Sequence, residues 1–252
     1  MTVKKTFSLI PEKRLLALYQ AMRTSRALAT KTSSGNEALV CAVALQLAPQ
    51  DALAADDSAH DLRHLKGEPL ARLKRGSTAE LRRGFHSLPT LKSTAAELLY
   101  FAAGVAMAQK RSNTALVTVV ILDGSKCHGR EWTAALRFVA AQGLGLIIVC
   151  DGAAKTGNLR GKLVEEPGSQ SEVKGLPPVL QVDRGDAIAV YRVAQEALTH
   201  AREHQRPTVL RAFGQRELGP SDPHARLDPI RRMEEYLRSK KIAYKPLKAR
   251  LK

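Results

Sequence analysis

The sequence predicts a three-layer α/β fold with a mainly parallel sheet. Three observations carry this expectation. Residues 117–122 form a near-continuous β-branched run, as in a strand buried on both faces. A polar turn, a helix opened by Gly129 and a second apolar run over 144–150 follow. Beyond these, strands and helices continue to alternate, which favours a parallel sheet covered on both sides.

Taken in order, residues 12–30 place Leu15, Leu16, Tyr19 and Met22 at helical spacing, with charges opposite. Ser33-Ser34-Gly35 interrupts this helix, and a nearly all-apolar helix is expected over 36–48 with Asn36 as N-cap. Residues 51–67 fit a loop or a short helix. Short basic helices are expected near 68–75 and 78–86. Residues 93–111 make a long helix in which Thr94 and Glu97 have capping-box spacing, and Lys110 and Arg111 complement the C-terminal dipole. Ala102, Ala103, Gly104, Ala106 and Ala108 would let another backbone approach closely.

After the central stretch, residues 155–178 read as a long surface loop. A strand over 179–183, a periodic helix over 186–205 and a strand over 207–213 follow. A Pro/Gly-punctuated loop (214–229) and a final helix (230–241) complete the pattern. The expected organisation is one domain over residues 1–238 and a basic C-terminal tail over 239–252, where six Lys and Arg residues occur without an acid.

With 252 residues and 44% hydrophobic content, the chain can build a substantial core, although only 4% is aromatic. No run approaches the length of a membrane span, and no signal peptide is read at the N-terminus, so a cytoplasmic protein is expected. Cys41, Cys127 and Cys150 lack paired spacing and fit reduced thiols. The net charge of +16 would attract polyanions, nucleic acid included, but its scatter and the lack of a zinc-finger or RNA-binding motif argue against a nucleic-acid module.

Candidate chemistry concentrates at the strand ends. Asp123-Gly124 follows the first buried strand, where open α/β sheets place their ligands. Asp123 reads either as a turn residue or as a ligand. Lys126 and His128 stand beside a helix N-terminus, as an ordinary polar turn or a phosphate-binding one. Asp57, His60, Asp61 and His64 would share one helix face, but a third convincing metal ligand is missing and a surface cluster is the simpler reading. No catalytic triad or carboxylate pair can be assigned.

The order of segments resembles the alpha subunit of the thiamine-diphosphate-dependent 2-oxo acid dehydrogenases. Residues 18–28 look like the family's opening helix, and residues 34–38 (SGNEA) resemble its Gly-His/Gln-Glu-Ala segment. Residues 102–111 resemble the Gly/Ala helix before the cofactor strand. VDRGDAIAVYRVAQEAL (182–198) and RPTVLRAF (206–213) match the later strand–helix–strand. The resemblance spans roughly residues 14–240 and implies the thiamine-diphosphate-binding fold.

By that resemblance the function is that of an alpha-like subunit of a decarboxylase component, an oxidoreductase that decarboxylates a 2-oxo acid and passes the acyl group to lipoamide. It implies thiamine diphosphate and Mg²⁺ as cofactors. The implied partners are a beta-type subunit, in a heterotetramer, and a lipoyl-bearing acyltransferase. The family holds its cofactor with a Gly-Asp-Gly signature and an Asn-Asn pair one helix later. Here the first reads Leu122-Asp123-Gly124, which makes Asp123 and Gly124 the cofactor-binding candidates and Asp123 the metal ligand. At the second stand Gly152 and Ala153, with Asp151 as a substitute oxygen donor. The diphosphate-binding Tyr-Tyr-Arg segment corresponds to Asp56-Asp57-Ser58, and the Gly-His-Ser loop to residues 218–223, with His224 out of register. These departures predict poor cofactor binding by the chain alone. The alternative is a non-catalytic interaction or scaffold subunit (a pseudoenzyme) of the same fold.

Overall fold

The computed structural model describes residues 10–28, 35–55, 65, 94–152, 175–213 and 228–244. Helices α1 (Glu12–Leu28) and α2 (Glu37–Ala44) precede strand β1 (Ala52–Ala55). Then come α3 (Ala95–Arg111), β2 (Thr118–Asp123), a 3-10 turn (Gly124–Lys126), α4 (Gly129–Gln142) and β3 (Leu146–Asp151). Strand β4 (Val179–Asp183), α5 (Ala187–His204), β5 (Thr208–Phe213) and α6 (Pro229–Ser239) complete the order. The described strands form one sheet in the order β1-β2-β3-β5-β4, with every pair parallel.

Alternation along the strands builds the three layers. Val119, Ile121, Ile147 and Val149 point to one face, where α1, α2, α5 and α6 cover them. Val120, Leu122, Leu146 and Ile148 point to the other, against α3 and α4. Both faces are therefore dry, and the strands must be apolar throughout. The three-layer, parallel α/β expectation is met.

Residues 51–67 differ from the expectation of a loop or short helix at one place. Ala52–Ala55 is an edge strand, buried along its whole length. Alanine carries little strand preference, so only its pairing with β2 makes this segment a strand. Its entry is fixed by Asp51, which is fully buried.

Asn36 stands at the N-cap position of α2, yet its side chain makes no capping bond. The carboxylate of Glu37 instead accepts the Gly35 N–H, at 3.2 Å to each oxygen, and is held by the Arg26 guanidinium. The helix ends at Ala44, short of residue 48.

The capping box of Thr94 and Glu97 forms. Ala102, Ala103 and Ala106 are buried, whereas Gly104 and Ala108 are exposed, and a Cβ at Gly104 would meet nothing within 4 Å. The close approach expected of this helix thus belongs to its alanines. Lys110 donates to the carbonyls of Gln142 and Gly143 at 2.7 and 2.8 Å, closing the C-terminus of α4 as well as favouring the dipole of its own helix.

Past α6, Ile242 and Tyr244 pack on the core, and the Tyr244 ring meets Tyr19 edge-on at 5.1 Å. The rest of the expected tail, 245–252, lies outside the described residues, as do the helices expected near 68–75 and 78–86 and most of the loops 155–178 and 214–229.

Candidate functional site at the strand ends

Helices α3 and α4, which link β1 to β2 and β2 to β3, cover one face, while α5, which links β4 to β5, covers the other. The crossover side therefore changes between β3 and β5. In open α/β sheets such a switch opens a crevice beyond the carboxyl ends of the strands. Asp123, Asp151 and Asp183 end β2, β3 and β4 at this edge.

Asp123 and Asp151 are register partners on adjacent strands. Asp123 accepts the Ser125 N–H at 2.9 Å and so caps the 3-10 turn. Gly124 is buried against the next strand. A Cβ there would lie 2.2 Å from the Gly152 carbonyl oxygen and 3.1 Å from that of Asp151. Its visible role is steric. Gly152 has φ of 87° and donates its N–H to Ala212 at 2.9 Å.

Asp151 is met by a guanidinium. Arg184, just after β4, donates to the Asp151 carboxylate at 3.2 Å. Burial pushes the Asp151 carboxyl above its ordinary range and the Asp123 charge adds to this. The Arg184 charge and the hydrogen bonds from Arg184 and the Asn36 side chain oppose it. The other end of the Asn36 amide, Oδ1, is buried without a hydrogen-bond partner among the described residues. A Cβ on Gly35 would lie 3.7 Å from the Arg184 guanidinium, and one on Gly152 would lie 4.0 Å from it. Both are ordinary van der Waals distances.

Asp183 has a different task. It accepts from Gly185 N–H at 2.8 Å and from Arg232 of α6 at 2.6 Å, while Asp186 caps α5. These contacts pin α6 to the sheet edge.

Sequence reasoning thus placed Asp123, Gly124 and Asp151 at one edge, and the structure brings the three together. It missed Arg184 and the turn of Asn36 toward Asp151. The only hint was a charged residue between Asp183 and Gly185 at a strand end. Asp57, His60, Asp61 and His64 lie outside the described residues, as do residues 56, 58, 153, 218–223 and 224. A groove of about 690 Å³ runs along the outer side of α5, lined by Ile10, Arg192, Glu196, His200 and His204 among others, and none of the strand-end residues lines it.

A family model described as dehydrogenase E1 component matches residues 12–251. The chain belongs to that family. The pyruvate dehydrogenase E1 component subunit alpha of Acholeplasma laidlawii is 34% identical over 122 residues, a match covering 47% of this chain. The same match covers 35% of that protein's length, so the chain spans about a third of it. The resemblance to thiamine-diphosphate-dependent 2-oxo acid dehydrogenase alpha subunits is borne out. Among the described residues no helix is long and apolar enough to cross a membrane.

The fit to Mg²⁺ can be tested on the donor set. This ion demands about six oxygens in octahedral order. Among the described residues no group of three or more His, Cys, Asp and Glu could hold a metal. Asp151 already carries a guanidinium, Asp123 caps a turn, and Gly152 offers no side-chain oxygen. The described residues of this chain do not fit a divalent ion.

Proposed function

We propose that this chain is the alpha-like subunit of a thiamine-diphosphate-dependent 2-oxo acid dehydrogenase decarboxylase component, working with a beta-type subunit. The observation that carries the reading is the family match over residues 12–251, on a strand–turn–helix–strand unit that is complete between Thr118 and Asp151. In this reading residues 1–238 form one domain followed by a basic tail, and the protein is a cytoplasmic hetero-oligomer of the heterotetramer type. The reaction class is oxidative decarboxylation of a 2-oxo acid, with a lipoyl-bearing acyltransferase as acceptor.

A second reading is favoured by the Asp151–Arg184 pair: a non-catalytic subunit that keeps the fold and the partner surface. The two part company in one experiment. The chain is co-expressed with a beta-type subunit, the assembly is purified, and thiamine diphosphate with Mg²⁺ is titrated by calorimetry. Assembly with saturable heat supports the catalytic subunit, with the partner completing the site. Assembly without heat supports the scaffold. Failure to assemble with any beta-type subunit sinks both.

A further inference from the structure

Three oxygen-bearing side chains converge at the ends of β2 and β3. Asp123 and Asp151 are register neighbours, and Asn36 brings its amide to Asp151 from the start of α2. Asn36 is only 9% exposed, and its Oδ1 has no hydrogen-bond partner among the described residues. Two carboxylates side by side with a buried amide oxygen are costly unless a cation accompanies them. In a sheet of this family that role would fall to a divalent ion. Here, among the described residues, a cation of the chain itself stands against Asp151. Arg184 places Nη1 3.2 Å from Asp151, with its side chain one-third exposed.

We infer that the Arg184 guanidinium is a built-in replacement for a divalent cation at this edge, so that the Asp151 carboxylate is charge-paired without metal. Gly35 and Gly152 flank it: a Cβ at either would stand in ordinary van der Waals contact with the guanidinium, and it is the positive φ (105° and 87°) that favours glycine at both positions. A planar, permanently charged group suits the task, because its several N–H donors can serve neighbouring oxygens. A divalent ion on Asp151 would have to displace that guanidinium or sit against it, at a distance where like charges repel strongly. The inference concerns the chain by itself and is independent of whether a beta-type subunit binds.

The test uses the full chain and the metal alone. Mn²⁺ is titrated while its free electron-spin resonance signal is followed, and melting temperature is recorded in EDTA and in millimolar Mg²⁺. The wild type should leave the Mn²⁺ signal undiminished and melt at the same temperature in both buffers. Arg184→Met should melt several degrees lower in EDTA and recover in Mg²⁺, and adding Asp151→Asn should abolish the recovery. Arg184→Lys, which keeps a cation, should remain indifferent to metal. Saturable Mn²⁺ binding by the wild type that vanishes in Asp151→Asn would overturn the inference, even if Arg184→Met does not fold. So would an Arg184→Met protein that folds and shows no metal response.

Discussion

Gly124 and Gly152 meet where β2 and β3 end, so closely that a Cβ on Gly124 would stand 2.2 Å from the Gly152 carbonyl oxygen. The obstructing atom is backbone, which cannot swing aside as a flexible side chain would. Relief requires the end of β3 to move, and Asp151 with it. Gly124→Ala is expected to destabilise the fold by about 1–3 kcal/mol, the usual range for overpacking. Urea unfolding measures it, and an unchanged midpoint would show that the two turns are not in contact.

Asp51 ties three parts of the chain together. It is fully buried, and accepts from Ala48 N–H at 2.7 Å and Val117 N–H at 3.0 Å. Arg202 of α5 reaches it at 2.5 Å. Asp51→Ala removes the acceptor of two backbone donors and leaves a guanidinium without its carboxylate. A loss of about 3–5 kcal/mol is expected, as for breaking one side of a buried pair. Asp51→Asn keeps one acceptor oxygen and should lose less. Equal midpoints for both variants would show that the retained acceptor oxygen contributes nothing, leaving the carboxylate charge as the reason for this residue.

A pH dependence follows from Tyr19, which is 1% exposed and donates its hydroxyl to Glu234 at 2.7 Å. Burial first, and then the hydrogen bond and charge of Glu234, push its phenol up to about 12. In the unfolded chain the phenol ionises near ~10. The folded state therefore holds the proton more tightly. Its contribution is complete below the unfolded value and is lost as pH rises from there toward about 12. Stability measured across this window should fall more steeply for the wild type than for Tyr19→Phe. Parallel slopes would mean that the phenol is not the responsible group.

How far each feature was legible depends on whether its cause is local. Strands β2 and β3 announce themselves because residues buried on two faces must be apolar without interruption. The Thr94–Glu97 box is visible because capping needs only four consecutive positions. Strand β1 is hidden, since Ala52–Ala55 becomes a strand through its neighbour and through Asp51, not through its own preference. The strand-end site divides in the same way. Asp123 and Gly124 stand in a turn that follows directly from a strand, and the family pattern points at them. The Asp151–Arg184 pair joins residues 33 apart in the chain. Arg184 reaches Asp151 across the end of β5, which lies between β3 and β4, and nothing in the spacing of the two residues encodes that strand order. Asn36 misled for a related reason: an N-cap is the local choice, and a carboxylate from a distant strand end outcompetes it.

The three cysteines offer a probe of this layered core. Cys41 lies on α2 and is fully buried, Cys127 in the turn after β2 is 3% exposed, and Cys150 near the end of β3 is 7% exposed. A thiol reacts as thiolate and needs access to the reagent, so all three should label slowly in the native protein. Cys41 sits in the layer shared by α1, α2 and α5, which no local opening of the strand ends would expose. Its alkylation should therefore track global unfolding, while Cys127 and Cys150 respond to opening of the strand-end crevice at lower denaturant. Mass-spectrometric labelling across a urea series reads the order directly. Cys41 labelling as fast as Cys150 under native conditions would mean that α2 opens independently of the sheet.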